Sequence, residues 1–135
     1  RVLDIGTGSG ILSIAAALLG AGEVLALDVV PVAVEAANRN AADNGVKDRI
    51  KVQCQDFADF EGEAADVLTA NLTGPILARF LPGIAGLIRP GGWLIAAGIG
   101  AEQWPGIQAV MQQCGLKAEK VEFEEDWVGV LARRV

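Results

Sequence analysis

The 135 residues include no histidine and no tyrosine. Those absences remove the commonest metal ligand and the commonest general base of enzyme chemistry. Cysteine is scarce: Cys54 and Cys114 stand far apart and show no C-x-x-C or other metal-binding spacing. They are expected as buried, reduced thiols of a cytoplasmic protein, with no metal site. No apolar run approaches the roughly 20 residues that a membrane helix requires. The longest, Ile11 to Gly22, is interrupted by Ser13 and Gly20, so no membrane partner is expected. Positive charge is also short, with 11 Lys and Arg against 17 Asp and Glu for a net charge of −6. That balance argues against direct nucleic-acid binding through a basic surface. It suits a basic partner or a cationic ligand, and equally it serves solubility.

What is present is a regular alternation. Val2 to Ile5, Val24 to Asp28, Ile50 to Cys54, Asp66 to Ala70 and Trp93 to Ala97 read as short strands. Helical patterns run over Ile11 to Leu19, from Pro31 to the Asn44-Gly45 stop, from Pro75 to about Ile88, and over Trp104 to Gln113. The composition Arg89-Pro90-Gly91-Gly92 reads as a turn. Lys117 to Phe123 and Trp127 to Arg133 lack a helix between them and should pair as an antiparallel hairpin around Glu124-Glu125-Asp126. Trp93 and Trp127 are expected in the core, and Trp104 near a strand's carboxyl end. Arg133 and Arg134 are expected as a solvated strand end.

The length fits one domain, residues 1–135. Strand-helix alternation implies an α/β fold, because right-handed crossovers cover both faces of a parallel sheet with helices. The expected architecture is a mostly parallel seven-stranded sheet closed by the C-terminal hairpin. The chain opens on Arg1 and enters a strand at once, so a preceding N-terminal region is expected.

The chemistry-bearing stretch is "VLDIGTGSG", Val2 to Gly10. Ligands of open parallel sheets bind beyond the strands' carboxyl ends, where this turn emerges. A phosphate loop would end in Gly-Lys-Ser/Thr, but no cation occurs from Val2 to Gly22. A dinucleotide turn, G-x-G-x-x-G counted from Gly6, would place glycine at position 11, which is Ile11. The third glycine falls one residue early, the spacing found in S-adenosylmethionine enzymes. Gly6 and Gly8 allow close approach of a ligand, and Gly10 lets a helix start near the strand. Asp4 and Thr7 complete the candidate cofactor set within the turn.

Asp28 ends the second strand, where a carboxylate can accept both ribose hydroxyls of a nucleoside, or simply end the strand or cap the next helix. Val29 is placed to pack on an adenine face or in the core. Asp56, after the third strand, is placed to meet an adenine amino group. Asn71 ends the fourth strand and reads either as a site residue or as a turn residue before Pro75.

Further segments, "DVLTANLTGPIL", "RPGGWLIAAGIGAEQ" and "EEDWVGVLARR", follow in order after the glycine turn and "LALDVVPVAVEAANRNAADNGV". This series resembles the catalytic domain of PrmA-type protein methyltransferases, over essentially the whole chain. The resemblance implies the Rossmann-like methyltransferase fold and S-adenosyl-L-methionine as cofactor, with Gly6, Asp28 and Asn71 as cofactor contacts. Asn71 would lie where methyl donor and acceptor meet. It also implies transfer to lysine side-chain or N-terminal amines of a ribosomal protein, the eleventh of the large subunit, a basic and lysine-bearing partner. In that family a separate N-terminal domain recognises the substrate, and a loop before the first strand supplies a cofactor-contacting threonine. Neither is within these residues. Pro105 is a departure and should delay the helix that the family begins nearer Glu102.

Methyl transfer needs no nucleophilic side chain, metal or histidine, so the missing residue types do not oppose it. Adenine-type DNA or RNA methylation would call for Pro-Pro and an aromatic after Asn71, where the chain has Leu72-Thr73-Gly74. The remaining alternatives are a small-molecule or RNA methyltransferase, an NAD-dependent oxidoreductase, and a non-catalytic cofactor-binding domain.

Overall fold

The computed structural model describes residues 1–135 as two compact units, Arg1–Glu61 and Gly62–Val135. In the first, β1 (Val2–Ile5), β2 (Val24–Asp28) and β3 (Ile50–Cys54) are parallel in the order β3-β2-β1. Every residue of β1 is buried, as expected of a strand with no polar face. Helix α1 (Ile11–Leu18) follows the glycine turn, and α2 (Pro31–Asp43) carries Pro31 in its first turn, where a missing N–H costs nothing. Ala37 and Ala41 face inward from α2. The Arg49 guanidinium donates to the Ala17 carbonyl at 2.7 Å and so satisfies the end of α1.

The second unit contains β4 (Ala65–Asn71), α3 (Gly74–Gly86), β5 (Ile88–Gly100), α4 (Trp104–Gln113), β6 (Leu116–Glu124) and β7 (Trp127–Arg134), with strand order β4-β5-β7-β6. β4 and β5 are parallel, whereas β7 runs antiparallel to both β5 and β6. Leu68, Leu94, Ala96, Val128, Val130 and Ala132 form the buried face. The expected hairpin is present, with Glu125 at φ +52° in its turn. Pro105 lies in the first turn of α4, and a 3₁₀ turn, Ala101–Gln103, occupies the positions before it. No helix is long and apolar enough to cross a membrane.

Several expectations are corrected. Arg89 to Gly92 are not a turn ahead of the fifth strand; they form a bulge inside β5. Its register against β4 jumps from Ala65–Ile88 to Val67–Trp93, with Gly91 at φ +77°. The turn composition bends the chain, but Ile88 and Trp93 both still pair with β4. Trp127 is 58% exposed, whereas Trp104 is only 7% exposed and belongs to the core. Trp93 is half-buried, with the Arg133 guanidinium 5.4 Å from its ring centroid. Arg134 donates to the Ile88 carbonyl and is thereby tied to the start of β5. Cys54 is exposed at the end of β3 and Cys114 is half-buried; both are free thiols.

One close approach ties the unit's loops together. The Gln103 carboxamide oxygen accepts the Gly100 N–H at 3.1 Å, and it occupies the space where a Cβ on Gly74 would stand, 2.2 Å away. A side chain at position 74 would force the Gln103 carboxamide aside. Gly74→Ala is expected to destabilise the protein by about 1 kcal/mol, the low end for overpacking, because the group in the way is the end of a flexible side chain. Gln103→Ala in the same chain should recover part of that loss in thermal melts, because the space is then vacated.

Candidate functional site

The candidate residues of the first unit gather at the carboxyl ends of its three strands. Ile5 is in register with Leu27, and Asp28 with Cys54, so the strands end nearly level. The Thr7 N–H reaches the Leu27 carbonyl at 3.0 Å, and the Gly10 N–H closes the turn onto the Thr7 carbonyl at 2.9 Å. Gly6, Gly8 and Gly10 all have left-handed φ, at 68°, 57° and 84°. Only glycine adopts three such angles within five residues without strain. A Cβ at Gly8 would meet nothing within 4 Å, so its bare face opens outward. A Cβ at Gly10 would stand 3.1 Å from that of Ala37, so Gly10 serves the packing of α1 on α2.

Two carboxylates shape this turn. Asp4 is 1% exposed, and its Oδ2 accepts the hydroxyls of Thr7 and Ser13, each at 2.7 Å. The polar ends of Asp4 and Thr7 thus point into the interior beneath the turn. Asp28 is half-buried; its Oδ2 accepts the Gly8 N–H at 2.8 Å and its Oδ1 accepts the Val30 N–H at 2.9 Å. A carboxylate offers about four lone-pair positions, so acceptor capacity remains on each oxygen. Strand-end capping and ligand binding are therefore compatible at Asp28. Val29 beside it is 60% exposed, which excludes a core role. Asp56 follows β3 and is exposed; its Oδ1 caps a 3₁₀ turn by accepting the Ala58 N–H at 2.9 Å.

Asn71 belongs to the second unit. It is exposed at the end of β4, in register with Ala97, and borders a cavity of about 840 Å³. Gly98, Glu122, Phe123, Glu124 and Trp127 also line this cavity. Glu122 pairs with Lys120 at 2.6 Å. That hydrogen bond and the attraction between the charges lower the Glu122 pKa and raise that of Lys120. The cavity joins an apolar indole and phenyl wall to carboxylates, an arrangement suited to an aliphatic chain ending in a cation. Sequence reasoning did not associate the hairpin with this cavity. The available signal was Phe123 and Trp127 flanking the acids Glu124 to Asp126, a charge run that a buried strand pair would exclude.

A family model described as "Ribosomal protein L11 methyltransferase (PrmA)" matches residues 1–135. A ribosomal protein L11 methyltransferase of Heliobacterium modesticaldum is 42% identical over 134 residues, covering 99% of this chain and 42% of that protein. A protein of the same name from Symbiobacterium thermophilum is 41% identical, with 99% and 43% covered. The chain therefore spans less than half the length of these curated relatives. Among solved structures, a ribosomal protein L11 methylase from Lactobacillus delbrueckii subsp. bulgaricus superposes with a TM-score of 0.93 at 34% identity, over 98% of this chain and 69% of that one. The fold expected from the sequence, a Rossmann-like methyltransferase fold with mostly parallel strands and an antiparallel C-terminal pair, is the fold of this chain.

The buried Asp4 network gives a direct test of how the turn is held. Asp4→Ala leaves the Thr7 and Ser13 hydroxyls without their charged acceptor, at a cost of roughly 3 kcal/mol. Chemical denaturation should show a lower midpoint with little change in slope. Ser13→Ala, which keeps the Thr7 bond, should cost less.

Proposed function

The chain belongs to the ribosomal protein L11 methyltransferase (PrmA) family, and from that premise we propose that it is the S-adenosylmethionine-binding, catalytic part of a protein N-methyltransferase. The observation that carries this reading is the glycine turn. It has three left-handed glycines, an open face at Gly8, no cation, and a carboxylate 2.8 Å from the Gly8 N–H. Such a turn fits a nucleoside whose hydroxyls need an acceptor and whose charge is not phosphate. In the first unit the proposed ligand contacts are Gly6, Gly8, Asp28, Val29 and Asp56, while Asp4, Thr7 and Gly10 hold the turn in shape; in the second unit the proposed contact is Asn71.

The proposed acceptor is an amine, a lysine side chain or N-terminus of a basic ribosomal protein in the cytoplasm. Recognition of that protein would rest mainly on a region outside these residues. Charge and surface support the amine: the cavity beside Asn71 offers Glu124 for an ammonium, Glu122 being paired with Lys120, and Phe123 and Trp127 for its aliphatic stem. When bound, S-adenosylmethionine would supply an activated methyl group on a sulfonium, whose leaving group is a neutral thioether. The chain's own task is placement. Asn71 orients the amine, and the neighbouring carboxylate holds it as an ammonium until it gives its proton to solvent. The amine proton leaves to solvent, so no histidine or tyrosine is required.

Binding is tested with S-adenosylhomocysteine and NAD in thermal melts of this chain. S-adenosylhomocysteine is expected to raise Tm by several degrees at saturating concentration, and NAD to leave it unchanged. Stabilisation by NAD alone would favour an oxidoreductase. Asp28→Ala should abolish the S-adenosylhomocysteine effect, and unchanged affinity in that variant would falsify its assigned role.

Transfer is tested with labelled cofactor and purified ribosomal protein L11, using the catalytic part in a polypeptide of the relatives' length. The initial rate should rise about tenfold per pH unit through the neutral range. The reason is that an ordinary lysine, with pKa near 10.4, is mostly protonated there. A rate independent of pH would exclude a solvent-exposed lysine whose deprotonation limits the reaction.

A further inference from the structure

Gly98 lies in β5 with φ +84°, and a Cβ there would stand 2.7 Å from the Leu72 carbonyl oxygen and 2.9 Å from Asn71 Oδ1. Side-chain carbons do not approach backbone oxygen that closely, so two independent constraints select glycine at this position. The first, the left-handed angle, has a visible origin in a bulge. β5 advances three residues from Ala96 to Ile99 while β7 advances two, from Val130 to Val128. A bulge of this kind bends its strand and re-aims neighbouring groups. The second is the close approach itself. Asn71 is in register with Ala97, and the Leu72 N–H donates to the Ala97 carbonyl at 3.2 Å. The backbone at 71–72 is thus held against 97–98 both by this hydrogen bond and by contact with a bare α-carbon.

Gly91 supplies the contrast within the same strand. Its φ is +77°, yet a Cβ there would meet only the Arg133 guanidinium, at 3.9 Å. Gly91 answers a conformational need, whereas Gly98 answers that need and also leaves room for Asn71.

We propose that Gly98 is a positioning residue for Asn71: its missing side chain lets the β5 bulge lie against the 71–72 backbone and fixes where the Asn71 carboxamide stands. The inference rests on the reading of Asn71 as a ligand contact in the methyltransferase site. Any side chain at 98 pushes the end of β4 away and displaces that carboxamide. Misplacement of a reacting group by about 1 Å can lower a rate on the order of a hundredfold.

The test compares Gly98→Ala with Gly91→Ala in this chain, by the Asn71 side-chain amide resonances in ¹⁵N–¹H spectra and by calorimetric titration with S-adenosylhomocysteine. Gly98→Ala is expected to shift the Asn71 amide resonances and weaken binding about tenfold, the value of one lost hydrogen bond to a well-placed group. Gly91→Ala should strain the backbone similarly and change neither readout. Unchanged Asn71 resonances and wild-type affinity in Gly98→Ala overturn the inference. Absence of S-adenosylhomocysteine binding in the parent chain would instead remove the functional reading and leave the Asn71 resonances to decide positioning. If Gly98→Ala folds poorly, the paired variant Asn71→Ala/Gly98→Ala decides. Removing the Oδ1 obstruction should raise its melting temperature above that of Gly98→Ala alone. An equal or lower value overturns the proposal.

Discussion

A buried carboxylate holds the glycine turn in place. Asp4 lies near the end of a strand with no exposed residue, and hydroxyl groups converge on its buried carboxyl oxygen, which satisfies a polar group that would be costly to bury alone. Those hydroxyls come from Thr7, inside the turn, and Ser13, in the first turns of α1. One oxygen atom of Asp4 therefore joins strand, turn and helix. With Thr7 drawn inward, the glycines on either side take left-handed angles, and the Gly8 N–H points to Asp28. The open face of the turn follows from what is buried beneath it.

The second unit uses a complementary device, in which absent side chains do the positioning. Gly74 yields its side-chain volume to Gln103, and Gly98 yields its own to the end of β4. Both glycines flank the segment that carries Asn71. Their effect is steric, and so it is less sensitive to pH and salt than a charge pair would be. The two units thus differ in kind: the first fixes its turn by hydrogen bonds to buried charge, the second fixes its loop by close contact.

Periodicity made the elements legible in the sequence. Strand and helix limits agree with the structure to within a residue or two at most ends, because each apolar run is bounded by Gly, Pro or Asn with a defined backbone role. The turn at Gly6 to Gly10 was legible for the same reason. What escaped were properties that depend on partners distant in sequence. Arg89 to Gly92 have a turn's composition, yet pairing on both sides draws them into β5. Trp127 has a core residue's composition, yet it stands at the hairpin end of β7, paired with Gly100 and Glu124, and the indole is exposed. Cys54 has the chemistry of a buried thiol, but it ends β3, the last strand in its unit's order, and is exposed there. Asp4 and Thr7 were legible as members of the turn, and their inward orientation was not. A sequence gives residue types at a turn, while the side of the backbone on which each lies depends on Ser13.

The absence of histidine and tyrosine takes its meaning from the same geometry. A hydrolase or dehydrogenase tunes the pKa of a few side chains, and its site is recognised by them. Here neither Asp28 nor Asn71 need change protonation state in the proposed reaction, and the two shifted groups on the hairpin, Lys120 and Glu122, owe their shifts to each other. A displacement between bound groups asks the protein for distance and alignment, which hydrogen-bonded turns and bare α-carbons provide. The informative positions are accordingly Gly8 in the first unit and Gly74 and Gly98 in the second, which carry no functional group at all.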